Sequence, residues 1–474
     1  MSLRTIFLIG FLLALTSRAG AVPPLPEGLK PPIETERDAA RTQSEPDLPE
    51  GLINLDLKEP PKADSATEVA ATKPDWRPSA FIDTRLGTRL RDPIDQEQLS
   101  LAETRLQLKA VRRWSNITAT VAVDILADAI SDSNTPDLNT GEGFVDLREA
   151  NVLWRPLSWI DIKAGRQILT WGTGEYLFLN DLFPKDYNSF FIGRPDAYLK
   201  APSDAVKVSL FGDIANLDIV YSPQFDSDRF ADGARLSVFN PFQTQVTGNR
   251  SIIESTRPAD VFQDDELAAR IYQTIGAYEG ALYFYSGFWK SPLGFSSNES
   301  ALRHNTLTSY GGSIRGPAKG GIANLEVAYY NSTEDPSGDE PSVPNSQVRF
   351  LLGYERELAK DFTGAVQVYL EQTIDYGALT QSIPVAALRP DKTRQVVTLR
   401  ARKVWPENQV TATIFAAFSS TDQDGYIRAN LNWSITDNLT LEAGSNILYG
   451  AQQTTQFAQL QSNSNIFVAA RYGF

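Results

Sequence analysis

One histidine, His304, and no cysteine: the chain nearly lacks the two side chains that most often carry catalysis or soft-metal ligation. His304 lies beside Asn305 in a segment read as an external loop, with no serine motif around it. Hydrolysis at a membrane surface needs a histidine base set against a serine or an aspartate-bound water, so an enzyme is not expected. Missing cysteines exclude disulfides, thiolate metal sites and haem attachment. Asp422-Gln423-Asp424-Gly425, Glu334-Asp335 and Asp264-Asp265-Glu266 offer oxygen ligands to Ca²⁺. Loop acids of this kind are more often solvated or bridge lipopolysaccharide through divalent ions, so neither a dedicated metal site nor a cofactor is expected. What remains is charge set at a spacing of two. Arg400 and Arg402, Arg105 and Lys109, and Arg85 and Arg89 recur on one face of alternating segments.

That spacing belongs to strands with different surroundings on each side. Leu106, Leu108 and Ala110 oppose Arg105, Gln107 and Lys109; Val397, Leu399 and Ala401 oppose Thr398, Arg400 and Arg402. The alternation runs from Phe81 to a last strand, Ser464 to Phe474, that ends on an aromatic carboxylate, the form read by outer-membrane assembly machinery. Connections alternate short and long. Arg112 to Ser115, Pro156-Leu157, Gly212-Asp213, Tyr278 to Gly280 and Pro406-Glu407 are among the short ones; stretches near 128–142, 170–204 and 223–265 are long. Short periplasmic turns and long external loops predict an all-β fold, a transmembrane antiparallel β-barrel of about 18 strands. No helix need cross the bilayer, and closure leaves no backbone edge in lipid.

A barrel of this size is too wide for side chains to fill. Parity turns Arg85, Arg105, Lys109, Lys163, Lys207, Arg270, Arg349, Arg400, Arg402 and Arg428 inward as pore-lining residues, facing acids such as Asp83, Glu103, Asp218, Glu355 and Glu442. A basic lining lowers the barrier for anions. Equally, inward Arg and Glu could pair across strands to brace the wall, and the sequence leaves both readings open.

The loop after Leu169 carries Trp171, Tyr176, Phe178, Phe183, Tyr187, Phe190 and Phe191, too many aromatics to leave in water. It is expected to fold into the mouth or lumen as a constriction, with Trp171 at its base and Arg194 and Lys200 across the path of an anionic solute. Arg166 shares the parity of Ile160, Ile162 and Ala164. It either snorkels at the interface or is turned inward by a bulge at Gly165.

Gly165-Arg166-Gln167, Trp171-Gly172 and the following Asp181, Pro184 and Asp186, preceded by Leu147-Arg148-Glu149-Ala150, resemble the motif of porin-like outer-membrane proteins related to the alginate-export family. The resemblance implies a barrel of the same strand number and, in that family's characterised branch, an arginine-rich lumen that passes an anionic polysaccharide. Its specific residues span about 146–200, and the N-terminal extension lies outside it.

Residues 1–21 read as a signal peptide: Arg4, an apolar stretch from Ile6 to Leu15, and Ala19-Gly20-Ala21 as the cleavage site. Residues 22–76 are proline-rich and charged, predicting a disordered periplasmic linker before the barrel, 77–474. Leu25-Pro26-Glu27-Gly28-Leu29 recurs there as Leu48-Pro49-Glu50-Gly51-Leu52, either a chance likeness in a tether or a pair of docking motifs for a periplasmic partner. A net charge of −14 argues against nucleic acid. The expected partners are outer-membrane lipid, lipopolysaccharide and the barrel-assembly machinery. The expected function is an outer-membrane channel for small or polymeric anionic solutes; the alternative is a scaffold barrel docking a periplasmic or secretion complex through its extension.

Overall fold

The computed structural model describes residues 75–474 apart from 131–134, 142, 297–299 and 384–388. The signal peptide and nearly all of the linker reading lie outside those residues. Asp75 and Trp76, assigned above to the linker, belong to the first strand, Asp75–Arg89.

Alternating side chains fold into 18 antiparallel strands joined in one sheet. Asp75–Arg89 pairs with Leu99–Arg113 on one side and with the last strand, Asn465–Gly473, on the other, which closes the barrel. The seam extends to the terminus, where the Phe474 amide donates to the Ala80 carbonyl at 2.9 Å. Closure satisfies every edge, as a lipid environment demands.

Two of the short connections fall differently from the sequence reading. Tyr278, Glu279 and Gly280 are inside the strand Tyr278–Phe288, and the chain reverses one step earlier at Gly276, whose φ of 64° only glycine adopts readily. Pro156 and Leu157 likewise end the strand Val145–Leu157, leaving Ser158 and Trp159 as the turn.

Outward-facing positions expose Leu86, Leu108, Val121, Leu282, Leu352, Leu399 and Val468, which in water would be a large apolar surface. At the short-turn end that band stops at exposed indoles: Trp76, Trp114, Trp154, Trp159, Trp405 and Trp433. An apolar belt edged by aromatics is the exterior of a barrel seated in lipid. The inner face is the reverse, with Asp83, Arg85, Glu103, Arg105, Asp124 and Arg428 all buried.

Candidate functional site: a loop tied across the lumen

Residues 169–201, between the strands Ile160–Ile168 and Pro202–Leu210, fill the middle of the barrel. Trp171, Phe183, Phe190, Phe191 and Tyr198 are each about nineteen-twentieths buried. Trp171 and Phe183 pack on each other at 4.9 Å within the loop, and the rings meet inward-facing aromatics of the wall: Trp171 meets Tyr283 at 6.2 Å, Tyr176 meets Phe415 at 4.6 Å, and Phe190 meets Tyr426 at 5.5 Å. The hydrophobic effect therefore drives the loop inward, since these rings have no other dry surface to reach.

Local sequence shapes the segment. Asp186 caps the short helix Tyr187–Ile192 by accepting the Ser189 amide at 2.7 Å, and Gly193, at φ 101°, ends it. A Cβ on Gly193 would fall 2.5 Å from the Phe467 ring, so both conformation and space require glycine.

Hydrogen bonds then fasten the loop to opposite sides of the wall. Arg85 on the first strand donates to the Gly193 carbonyl at 2.8 Å. Glu103 on the second takes a forked contact from Arg194, the shorter arm 2.7 Å. Asp124 on the third accepts the Tyr198 hydroxyl at 2.7 Å. Across the lumen, Glu326 accepts the Thr173 hydroxyl at 2.7 Å, the Gly174 amide at 2.9 Å and the Asn180 amide at 2.8 Å. Arg400 meets Glu175 at 2.6 Å, and Arg428 meets Asp196 and the Phe190 carbonyl, each at 2.7 Å. Asn465 on the last strand donates to the Phe191 carbonyl at 3.0 Å.

Inside the loop, Asp181 receives Lys185 at 3.0 Å, Lys200 at 2.8 Å and the Thr170 hydroxyl at 2.6 Å, with the Phe178 ring against both ammonium groups. Burial alone would raise the Asp181 carboxyl, but the two lysines outweigh it and hold it down to about 2. Burial also lowers Lys185 to about 8 despite Asp181. Glu175 is pushed up to about 7 by burial, which its Arg400 partner offsets only in part.

All ten residues read as pore-lining project from the inner face, but most are engaged. Arg105 bonds Asp124 at 2.7 Å, Lys109 meets Glu149 at 3.0 Å, Arg270 meets Asp218 at 2.9 Å and Lys207 the same carboxylate at 3.6 Å, while Arg349 meets Glu371 at 3.3 Å. Bracing is thus extensive. Arg402 and Lys163 form no ion pair among the described residues, although Lys163 sits directly across from Lys207. Arg194 and Lys200, expected to lie across the path free to meet a solute, are instead committed to Glu103 and Asp181, because the loop is bound to itself and to the wall.

Arg166 stays on the outward parity. Gly165 does adopt φ 113°, yet the guanidinium is covered at the outer rim, where it bonds Asp204 at 2.7 Å and the carbonyls of Leu147 and Leu138. Arg148 was unreadable by parity: a register shift at Ala122/Val123 turns it inward, where it donates to the Lys200 carbonyl at 2.6 Å. His304 belongs to an external segment but is buried, its Nδ1 2.8 Å from the Trp289 carbonyl oxygen, and burial lowers it to about 4.

Space remains on both sides of the loop. Toward the short-turn end lies a cavity of about 380 Å³ lined by Arg85, Arg400, Arg402, Arg428 and Arg471 against Asp83, Glu175, Asp196 and Glu442, with a neutral wall that includes Thr411, Thr413, Asn430 and Asn432. Toward the long loops a larger cavity is lined by Glu103, Asp128, Arg194, Arg235 and Asp228. Arg85 borders both.

No family model and no curated protein matches the sequence. Solved structures do. OccAB1 of Acinetobacter baumannii aligns over 84% of this chain and 96% of its own at 9% identity, TM-score 0.50. OccAB3 of the same organism aligns over 84% and 99% at 13% identity, TM-score 0.49. OccD3 (OpdP) of Pseudomonas aeruginosa aligns over 84% and 91% at 10% identity, TM-score 0.49. None of these bears on the alginate-export resemblance, which narrows to porin-like architecture. The chain is a closed antiparallel β-barrel of the bacterial outer membrane.

Proposed function

We propose that the protein is a passive outer-membrane channel for small solutes that carry a negatively charged group, with residues 169–201 setting the size limit. The observation that carries this reading is that cavities lie on both faces of the crossing loop inside one closed barrel, with Arg85 between them as a border of each, so that the loop is what divides the lumen. The inner cavity has five arginines against four carboxylates, a small basic excess that favours an anionic group without trapping it. The neutral hydroxyl and amide wall supplies hydrogen bonds in place of a solute's lost water. A polymer fits poorly, because the loop is fastened on opposite walls.

Planar-bilayer recording tests the proposal. Purified protein should form channels of low conductance whose reversal potential in a salt gradient favours anions. Deleting residues 176–195 should raise conductance severalfold while the barrel keeps its heat-modifiable migration. A silent, correctly folded protein would instead favour the scaffold reading.

A further inference from the structure

Arg112 is a cation on the outside of the barrel set against two indoles. Strand parity puts it on the lipid-facing side with Leu106, Leu108 and Ala110, at the short-turn end of the strand Leu99–Arg113. Its guanidinium lies 5.8 Å from the centre of the Trp76 ring and 5.0 Å from that of Trp114. Both indoles are exposed, at 57% and 43%. Trp76 is the direct cross-strand neighbour of Arg112, so the arrangement is fixed by sheet register as well as by the turn.

The inward-facing arginines of the same sheet mostly find carboxylates. Among the described side chains Arg112 has none, and no described group accepts its N–H donors; its contacts are the two rings. Cation–π attraction to the indoles gives the guanidinium no hydrogen-bond acceptor, so its five donors in a planar fork are without partners among the described residues. At the edge of a hydrocarbon belt such donors need an acceptor, and two oxygens of a phosphate match the fork. The indoles also present apolar surface beside that spot, at the depth where acyl chains begin. The short-turn end faces the leaflet made of phospholipid.

We propose that Arg112, beside Trp76 and Trp114, is a binding site for the phosphate headgroup of a phospholipid in the periplasmic leaflet. The site lies on the exterior and is independent of any channel activity.

The test uses the full chain in a maltoside detergent, comparing wild type with Arg112→Gln. Added phosphatidylglycerol should raise the temperature at which the barrel loses its compact gel mobility, and native mass spectrometry should show one more retained lipid on the wild type. Diacylglycerol, which lacks phosphate, and inorganic phosphate, which lacks chains, should leave the transition unmoved. Arg112→Gln should lose at least half of the phosphatidylglycerol shift, and Arg112→Lys, which keeps charge without the planar fork, should fall between. Equal shifts in wild type and Arg112→Gln overturn the site. An equal effect of diacylglycerol reduces it to apolar packing, and an equal effect of inorganic phosphate makes it a solvent-facing anion contact, so either result also overturns it. Should Arg112→Gln fail to assemble, Trp114→Leu provides the same comparison, with the same loss expected.

Discussion

Arg85 donates one guanidinium nitrogen to the Gly193 carbonyl at 2.8 Å while the others hold Asp83 at 2.6 Å and Glu442 at 2.7 Å. One side chain therefore joins the first strand to the crossing loop at a border shared by two cavities. Replacing it with glutamine should remove about 3 kcal/mol of anchoring, the scale expected when one partner of a buried charged cluster is deleted. Single-channel conductance should rise and anion preference should fall. Unchanged currents from a folded variant would move the constriction away from Arg85.

Asp181 is the keystone of the loop's own fold. Asp181→Asn leaves Lys185 and Lys200 buried as neighbouring cations, a like-charge contact that the carboxylate normally offsets. Amides of residues 178–186 should then exchange with deuterium at least tenfold faster, while amides of the barrel strands keep their protection.

The Glu175 carboxyl gives the loop a pH response. Its docked value of about 7 lies above the ordinary 4.5, so the docked loop binds more protons than the undocked loop between those limits. Docking is tightest below about pH 4.5 and weakens as pH rises to about 7. Exchange at residues 173–177, corrected for its intrinsic pH dependence, should be slower at pH 5 than at pH 7.5. Glu175→Gln should abolish the difference.

Arg402 lines the inner cavity without an ion-pair partner among the described residues. Arg402→Glu should therefore shift the reversal potential toward cations without loosening the loop. Arg400→Glu should do both, because it also breaks the pair with Glu175. If the two variants behave alike, Arg402 takes part in anchoring that its geometry does not show.

The strands were legible because lumen and lipid impose opposite demands on alternate side chains, so Arg400 and Leu399 had to part company wherever the barrel closed. The loop's inward fold was legible for a related reason: rings such as Phe190 and Phe191 need a dry surface. Partner choice was not legible. Arg194 finds Glu103 from 91 positions away, a distance along the chain that carries no local pattern. Arg148 breaks the alternation through a single register shift, and nothing in Leu147-Arg148-Glu149 announces it. Arg166 kept its outward parity although Gly165 had the conformation that would have permitted the other outcome.

The loop's fasteners come from both ends of the chain: Arg85 from the first strand, Asn465 from the last. Neither strand has its full set of neighbours until the seam between them is sealed. The loop's set of fasteners is therefore complete only when the barrel is closed, which couples docking of the loop to pairing of the first and last strands. A change that weakens the pairing of the first and last strands would thus reach the middle of the lumen through Arg85 and Asn465, although neither touches the other.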